Sequence, residues 1–129
     1  FSTFVKRATD NGILMQVKAG LPQLIPILET DLCVLLSNAL ENALHACREQ
    51  REKRRAGIIE VSVYEKNETL FLQIINSCDK DITFDNGIPV TNRSGHGIGI
   101  RSICAIVEKY GGIYTFLAED GQFILRVSL

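Results

Sequence analysis

Two small groups of residues have types and spacings that could do chemistry. Asn38 and Asn42 stand four apart, with His45 three further on, so on a helix all three share one face. A carboxamide inside a helix has poor propensity and, when buried, must find hydrogen-bond partners. The trio therefore reads either as polar ties to neighbouring loops or as a set of ligands. The second group is Gly95-His96-Gly97-Ile98-Gly99-Ile100, which closes a polar stretch and opens an apolar-periodic one. Glycines let backbone amides approach a bound group, and a helix amino terminus carries a positive partial charge, a combination that suits phosphate. A structural turn fits the same residues. The spacing is Gly-x-Gly-x-Gly, not the Gly-x-Gly-x-x-Gly of dinucleotide-binding folds, and a polar loop precedes it in place of a strand, which excludes a Rossmann reading.

Both groups need elements to hold them. Residues 2–10 read as a short helix stopped by Asn11-Gly12, and Ile13-Leu14-Met15 as a strand. Pro22 and Pro26 bracket a loop, after which Thr30 or Asp31 can cap a long helix. Within it Leu32, Leu35, Leu36, Ala39, Leu40, Ala43, Leu44 and Cys47 recur at helical spacing, out to Arg51 or beyond. Residues 58–64 and 69–75 are rich in β-formers and predict a hairpin. Residues 76–97 lack periodicity and predict a long loop, a feature usually functional or mobile. A helix over Ile98 to Tyr110 stops at Gly111-Gly112, and strands over 113–118 and 122–128 join through Glu119-Asp120-Gly121. The uneven order predicts an α+β two-layer sandwich: a mixed, largely antiparallel sheet covered on one face by helices.

Composition narrows the function classes. The 129 residues fit one domain, and 14 Lys plus Arg against 15 Asp plus Glu leave a net charge of −1, so no bulk field draws polyanions. The run Arg48 to Arg55 holds five cations and two anions without interleaved aromatics. It reads as a solvated helix end, not a nucleic-acid platform. No apolar run approaches the ~20 residues of a membrane span. Cys33, Cys47, Cys78 and Cys104 are widely spaced without a Cys-x-x-Cys pair, which predicts reduced, mostly buried thiols in a cytosolic domain. The opening at Phe1 without an initiator Met reads as an excised fragment.

The asparagine helix, the two strands after it and the glycine-opened helix together resemble the ATP-binding domain of the gyrase, Hsp90, histidine kinase and MutL superfamily. The resemblance covers nearly the whole chain. Residues 31–46, DLCVLLSNALENALHA, look like the asparagine box of bacterial sensor histidine kinases of the quorum-sensing, peptide-responsive type, and residues 94–112, SGHGIGIRSICAIVEKYGG, look like their second glycine box and following helix.

That resemblance implies a Bergerat-type fold with ATP and Mg²⁺ as cofactors. It makes Asn42 the magnesium ligand and places Asn38 where ATP-hydrolysing relatives carry a catalytic Glu. An amide cannot act as that base, which points to phosphoryl transfer with hydrolysis suppressed. His45 falls where kinases often place a phosphate-facing polar residue, although a lone helical His is more often incidental. Asn76 falls where many relatives carry an Asp that accepts from the adenine amino group, and its side-chain oxygen can accept the same bond. Asp85-Asn86-Gly87 is a second candidate for that box, but lies nine residues past the strand. Residues 78–95 correspond to a lid, expected to be disordered without nucleotide, with Arg93 matching a basic residue of the subgroup. Gly95, His96, Gly97, Ile98, Gly99 and Ile100 complete the nucleotide-binding set, the glycine amides cradling phosphates.

The implied enzyme is an ATP-dependent protein-histidine kinase passing the γ-phosphoryl group to a histidine on a separate dimerisation domain. His45 and His96 are the only histidines, and both lie inside the nucleotide motifs. The acceptor and its dimerisation helices are therefore expected upstream, in a homodimeric, membrane-anchored sensor that signals to a response regulator. This chain is expected to be its cytoplasmic portion, neither spanning a membrane nor binding nucleic acid. Two alternatives share the fold: an anti-sigma-factor-like serine kinase, against which Asn38 counts because those kinases carry Glu there, and an interaction module that has lost nucleotide, suggested by the missing Asp at position 76.

Overall fold

The structure is a computed structural model that describes residues 2–20, 26–49, 57–78, 81–90 and 96–129, with the side chains of 96–98 outside the description. The elements in order are α1 (Ser2–Asp10), β1 (Leu14–Ala19), α2 (Glu29–Arg48), β2 (Ile58–Lys66), β3 (Thr69–Ser77), β4 (Phe84–Asp85), β5 (Ile88–Pro89), α3 (His96–Lys109), β6 (Ile113–Glu119) and β7 (Gln122–Ser128).

Alternation along the strands builds the sheet. Leu70, Leu72, Ile74 and Asn76 of β3, Ile59, Val61 and Val63 of β2, and Phe123, Leu125 and Val127 of β7 are all buried. Register sets them side by side, Ile59 beside Asn76 and Asn76 beside Phe123. The result is a five-stranded sheet in the order β1-β2-β3-β7-β6. Only the β1–β2 pair is parallel. The opposite sheet face carries Glu60, Ser62, Tyr64, Phe71, Gln73 and Arg126. On it the Tyr64 and Phe71 rings stack at 5.3 Å and Arg126 Nε donates to Gln73 Oε1 at 2.9 Å. This is the mixed, largely antiparallel sheet with helices that the sequence pattern predicts.

Helix α2 buries Leu32, Leu35, Ala39, Leu40, Ala43, Leu44 and Cys47, and α3 adds Ile100, Ile103, Cys104, Ile106 and Val107 to the same core. Helix α1 is held to α2 by a two-pronged Arg7–Glu41 pair, one prong at 3.0 Å from Nη2 to Oε2. No described helix is long and apolar enough to cross a membrane.

Several expectations are corrected. Neither Thr30 nor Asp31 caps α2: the helix starts at Glu29 with Leu28 in the cap position and no side-chain cap bond. A group just past the end of α3 takes that role. The Leu28 N–H donates to the Tyr110 hydroxyl at 3.1 Å, that hydroxyl donates to the Asp31 carboxylate, and Lys109 Nζ lies 2.8 Å from Asp31 Oδ2. The predicted long loop contains a hairpin, β4–β5, turning on Asn86-Gly87 with φ of 52° and 79°. Two consecutive left-handed residues make the turn whose twist suits paired strands, and Asn-Gly is its favoured dipeptide. Helix α3 begins at His96, two residues earlier than expected, and β1 extends to Ala19. Cys47 and Cys104 are buried and Cys78 half-buried, but Cys33 is exposed; all four are free thiols. Most of the Arg48 to Arg55 run lies outside the described residues.

Two outcomes follow for stability. Leu40 is 1% exposed, and Leu40→Ala is expected to lower unfolding free energy by about 2–5 kcal/mol through lost transfer energy and a residual cavity, read by urea denaturation. The hydrogen bonds from Lys109 and then Tyr110 hold the Asp31 carboxyl below the usual carboxylate range. A depressed folded-state value contributes stability that is present above the unfolded pKa of about 3.9 and lost as pH falls through the folded one. Denaturation midpoints between pH 5 and 2 should therefore fall less steeply for Asp31→Asn than for the native chain.

Candidate functional site

The clasp joins the start of α2 to the end of α3, while Gly99 near the start of α3 lies against Asn38 in the middle of α2, so the two helices run antiparallel. A Cβ built at Gly99 would stand 3.5 Å from Asn38 Oδ1. The first turn of α3 thus rests on the asparagine-bearing face of α2. Asn42 lies one turn beyond Asn38, and both are half-buried. Among the described residues no hydrogen bond engages either side-chain amide. The backbone N–H groups of residues 96–98, the first three of α3, have no partner within the helix. Unpaired donors, the positive helix end and a free carboxamide on the facing helix make a site for an anion with its counter-ion.

His45 points to a local partner: its Nε2 is 3.0 Å from Glu49 Oε1, one turn on. Ile100 is 5% exposed and packs in the core, so its side chain holds α3 in place. Arg93 and Gly95 lie outside the described residues, as do the side chains of His96 and Ile98; Gly97 is described only through the helical backbone.

Asn76 is the buried polar residue of the described chain, at 1% exposure, on the helix-facing side of β3 between Ile59 and Phe123. Its Nδ2 donates to the Ser77 carbonyl at 3.1 Å, and no described group donates to its Oδ1. That leaves its Oδ1 able to accept one more hydrogen bond. Next to it, Ser77 Oγ accepts from the Ile58 N–H at 3.0 Å and meets Cys47 Sγ at 3.5 Å. Burial pushes the Cys47 thiol up, which suits an inert structural cysteine. Asp85, by contrast, is exposed on β4 and leads into the Asn86-Gly87 turn, which accounts for that glycine without a ligand.

Two further features limit the chemistry. Among the described residues no group of three or more His, Cys, Asp or Glu could hold a metal ion, so a divalent cation beside Asn42 would need its remaining oxygens from a ligand and water. That donor set suits Mg²⁺, which keeps waters and leans on substrate phosphates. A cleft of about 460 Å³ between the exit of β3, β4 and the β6–β7 turn is lined by Cys78, Ile82 and Phe84 with Asp81, Glu119 and Asp120. Its three carboxylates disfavour phosphate there. The contacts that sequence reasoning missed are the Asp31–Lys109–Tyr110 clasp, which has no local signature, and the β4–β5 hairpin, which Asn86-Gly87 could have signalled.

Residues 28–129 match the family model described as the GHKL domain. The sensor histidine kinase DpiB of Escherichia coli (strain K12) is 28% identical over 127 residues, covering 90% of this chain and 23% of its own length. The chain therefore spans less than a quarter of that relative. The histidine kinase domain of the blue-light activated histidine kinase from Erythrobacter litoralis superposes with a TM-score of 0.72 at 17% identity, over 99% of this chain and 56% of that one. The catalytic domain of histidine kinase ThkA in a nucleotide-free form gives 0.79 at 17% identity, over 99% and 86%. Identities this low speak for the fold, which is that of histidine kinase catalytic domains.

The Gly99–Asn38 approach can be probed by size. A methyl group at 3.5 Å is an ordinary contact, so Gly99→Ala should leave the fold intact and gain up to about 1 kcal/mol of helix propensity. Gly99→Leu must displace Asn38 or tilt α3 and should cost about 1–3 kcal/mol, seen in the denaturation midpoint and in shifted NMR signals of the Asn38 amide.

Proposed function

Because the chain belongs to the GHKL domain family through the match over residues 28–129, we propose that it is the ATP-binding catalytic domain of a sensor histidine kinase. The observation that carries this reading is the first turn of α3 set against Asn38 by Gly99, which brings phosphate-binding amides beside the asparagine helix.

In this reading the amides at the start of α3 hold the β- and γ-phosphates, with Gly95 and Gly97 allowing the backbone to come close. Asn42 offers its amide oxygen to Mg²⁺, which when bound neutralises charge developing on the phosphates. Asn76, through the open acceptor of its buried carboxamide, receives the adenine amino group, with Ile59 and Phe123 excluding water from that bond. Asn38 faces the phosphates with an amide that cannot take a proton from water. The γ-phosphoryl group is thereby kept for a nucleophile that arrives from outside, a histidine on a dimerisation helix. His45 is paired with Glu49 and lies beside the phosphate end, where it can donate to a phosphate oxygen once Glu49 releases it. By the motif resemblance Arg93 supplies a positive charge to the phosphates.

The chain is one domain of a longer, membrane-anchored and dimeric sensor that addresses a response regulator from the cytoplasm. Its assignment to the peptide-responsive subgroup rests on the two sequence motifs at 31–46 and 94–112.

Titration calorimetry with a non-hydrolysable ATP analogue and Mg²⁺ tests the reading. The native chain is expected to bind while turning over little ATP alone, and to phosphorylate a histidine-bearing helix but not a serine-bearing partner. Asn42→Ala should weaken Mg-dependent binding by about tenfold or more, about 1.4 kcal/mol. Unchanged magnesium dependence in that variant would remove Asn42 from the metal site, and no binding at millimolar nucleotide would leave an interaction module of the same fold.

A further inference from the structure

We infer that Asp31, Lys109 and Tyr110 are positioning residues for the nucleotide site, setting the axial register of α3 on α2 from the end of the helix pair that no nucleotide reaches. The inference rests on the reading of the α2–α3 flank as the phosphate site.

The site is divided between two helices. One part is the free carboxamide of Asn42 on α2, and the other is the row of N–H donors that opens α3. Their spacing is therefore a property of how α3 lies along α2. The seam between the helices is largely apolar, with Leu32, Leu35 and Ala39 available on α2 and Ile100, Ile103 and Val107 on α3, all buried. Apolar contact fixes how far apart two helices lie better than where one stops along the other, because it has no direction. Hydrogen bonds do have direction, and they weaken steeply with misalignment.

Such bonds sit at one end of the pair. Tyr110 uses its hydroxyl in both senses, donating to Asp31 and accepting from the Leu28 N–H at 3.1 Å. Lys109 reaches the same Asp31 oxygen at 2.8 Å, and its ammonium also lies over the Tyr110 ring, 5.5 Å from the centroid. The α2 start has no side-chain cap of its own, so the clasp supplies what that terminus lacks and holds it against the last turn of α3. A slip of one helical residue is about 1.5 Å. That is enough to break these bonds and to carry Gly99 off Asn38. The clasp is remote from any ligand: Tyr110 follows Gly99 by eleven residues, about 16 Å of helix. Its influence on binding can pass only through the placement of α3.

Tyr110→Phe keeps the ring and removes the hydroxyl, and Asp31→Asn keeps the shape and removes the charge. The measurement is the dissociation constant of a Mg-bound ATP analogue by calorimetry, at a temperature where circular dichroism shows each variant folded. Tyr110→Phe is expected to weaken binding roughly three- to tenfold, the range one hydrogen bond can carry, and to shift the Asn38 side-chain amide signals. Asp31→Asn should move both readouts the same way. Val63→Ala, a core change on β2, serves as the control: it should lower the melting temperature without moving the dissociation constant. A Tyr110→Phe chain that melts earlier yet binds as tightly as the native one, with Asn38 unshifted, overturns the proposal and leaves the clasp a stability feature alone. Should Tyr110→Phe not fold, Lys109→Met reads the same two quantities with the hydroxyl in place. A native chain that binds no nucleotide overturns the functional reading instead, an outcome distinct from a native chain that binds and a clasp variant that binds equally.

Discussion

The apolar face of α2 has to be buried against β2 and β3, and the other elements take their places around that contact. Seven of its side chains are withdrawn from water, each of the larger ones contributing about 1.5–3 kcal/mol. Once that face is turned inward, the rotation of the helix is no longer free. Asn38, Asn42 and His45 follow buried residues at helical offsets and must lie on the flank, half in and half out. They cannot retreat to solvent without lifting Leu35 or Ala39 from the core. The second helix completes the arrangement because its own apolar residues enter the same core, and the residue that meets Asn38 has no side chain.

The charge of the molecule is then easier to understand. A net charge of −1 is compatible with the proposed reading, in which a polyanion is held through backbone dipoles, one carboxamide and a borrowed cation, none of which appears in a count of ionised side chains. Carboxylates are present near the same end of the sheet, but Asp81, Glu119 and Asp120 are gathered around the cleft beside β4. In the proposed reading phosphate is kept from there and received at α3. The adenine position proposed for Asn76 has a different environment, with the residue buried between its strand neighbours Ile59 and Phe123.

Local patterns carried most of this into the sequence. The spacing of Leu32 through Cys47 determines both the existence of α2 and the face on which Asn38 and Asn42 stand, so the helix and half of the site could be read together. The hairpins β2–β3 and β6–β7 announce themselves through β-formers and turn residues. What stayed hidden has physical reasons. Strands of two residues, such as Phe84–Asp85 and Ile88–Pro89, are too short for alternation to show. The start of α2 was misplaced because Thr30 and Asp31 have the chemistry of caps, whereas the actual capping group, Tyr110, arrives from 82 residues away. Cys33 was expected inside because cysteine usually is, yet it falls on the outward side of the same helix that buries Cys47.

The sheet also divides into near and distant pairings by its register. Two of its seams are local: Lys66 pairs with Thr69, and Glu119 with Gln122. The other two are not. Leu14 pairs with Ile58 and Ser77 with Gln122, so each of these seams closes a loop of more than forty residues, and loop closure of that length has to be met before any contact rewards it. Helix α2 lies inside the first of these loops and α3 inside the second. The two walls of the proposed site are thus the contents of the two longest excursions of the chain between paired strands. In the proposed reading the nucleotide site therefore depends on both long-range seams, and a chain with only its two hairpins formed has a partial sheet and no site.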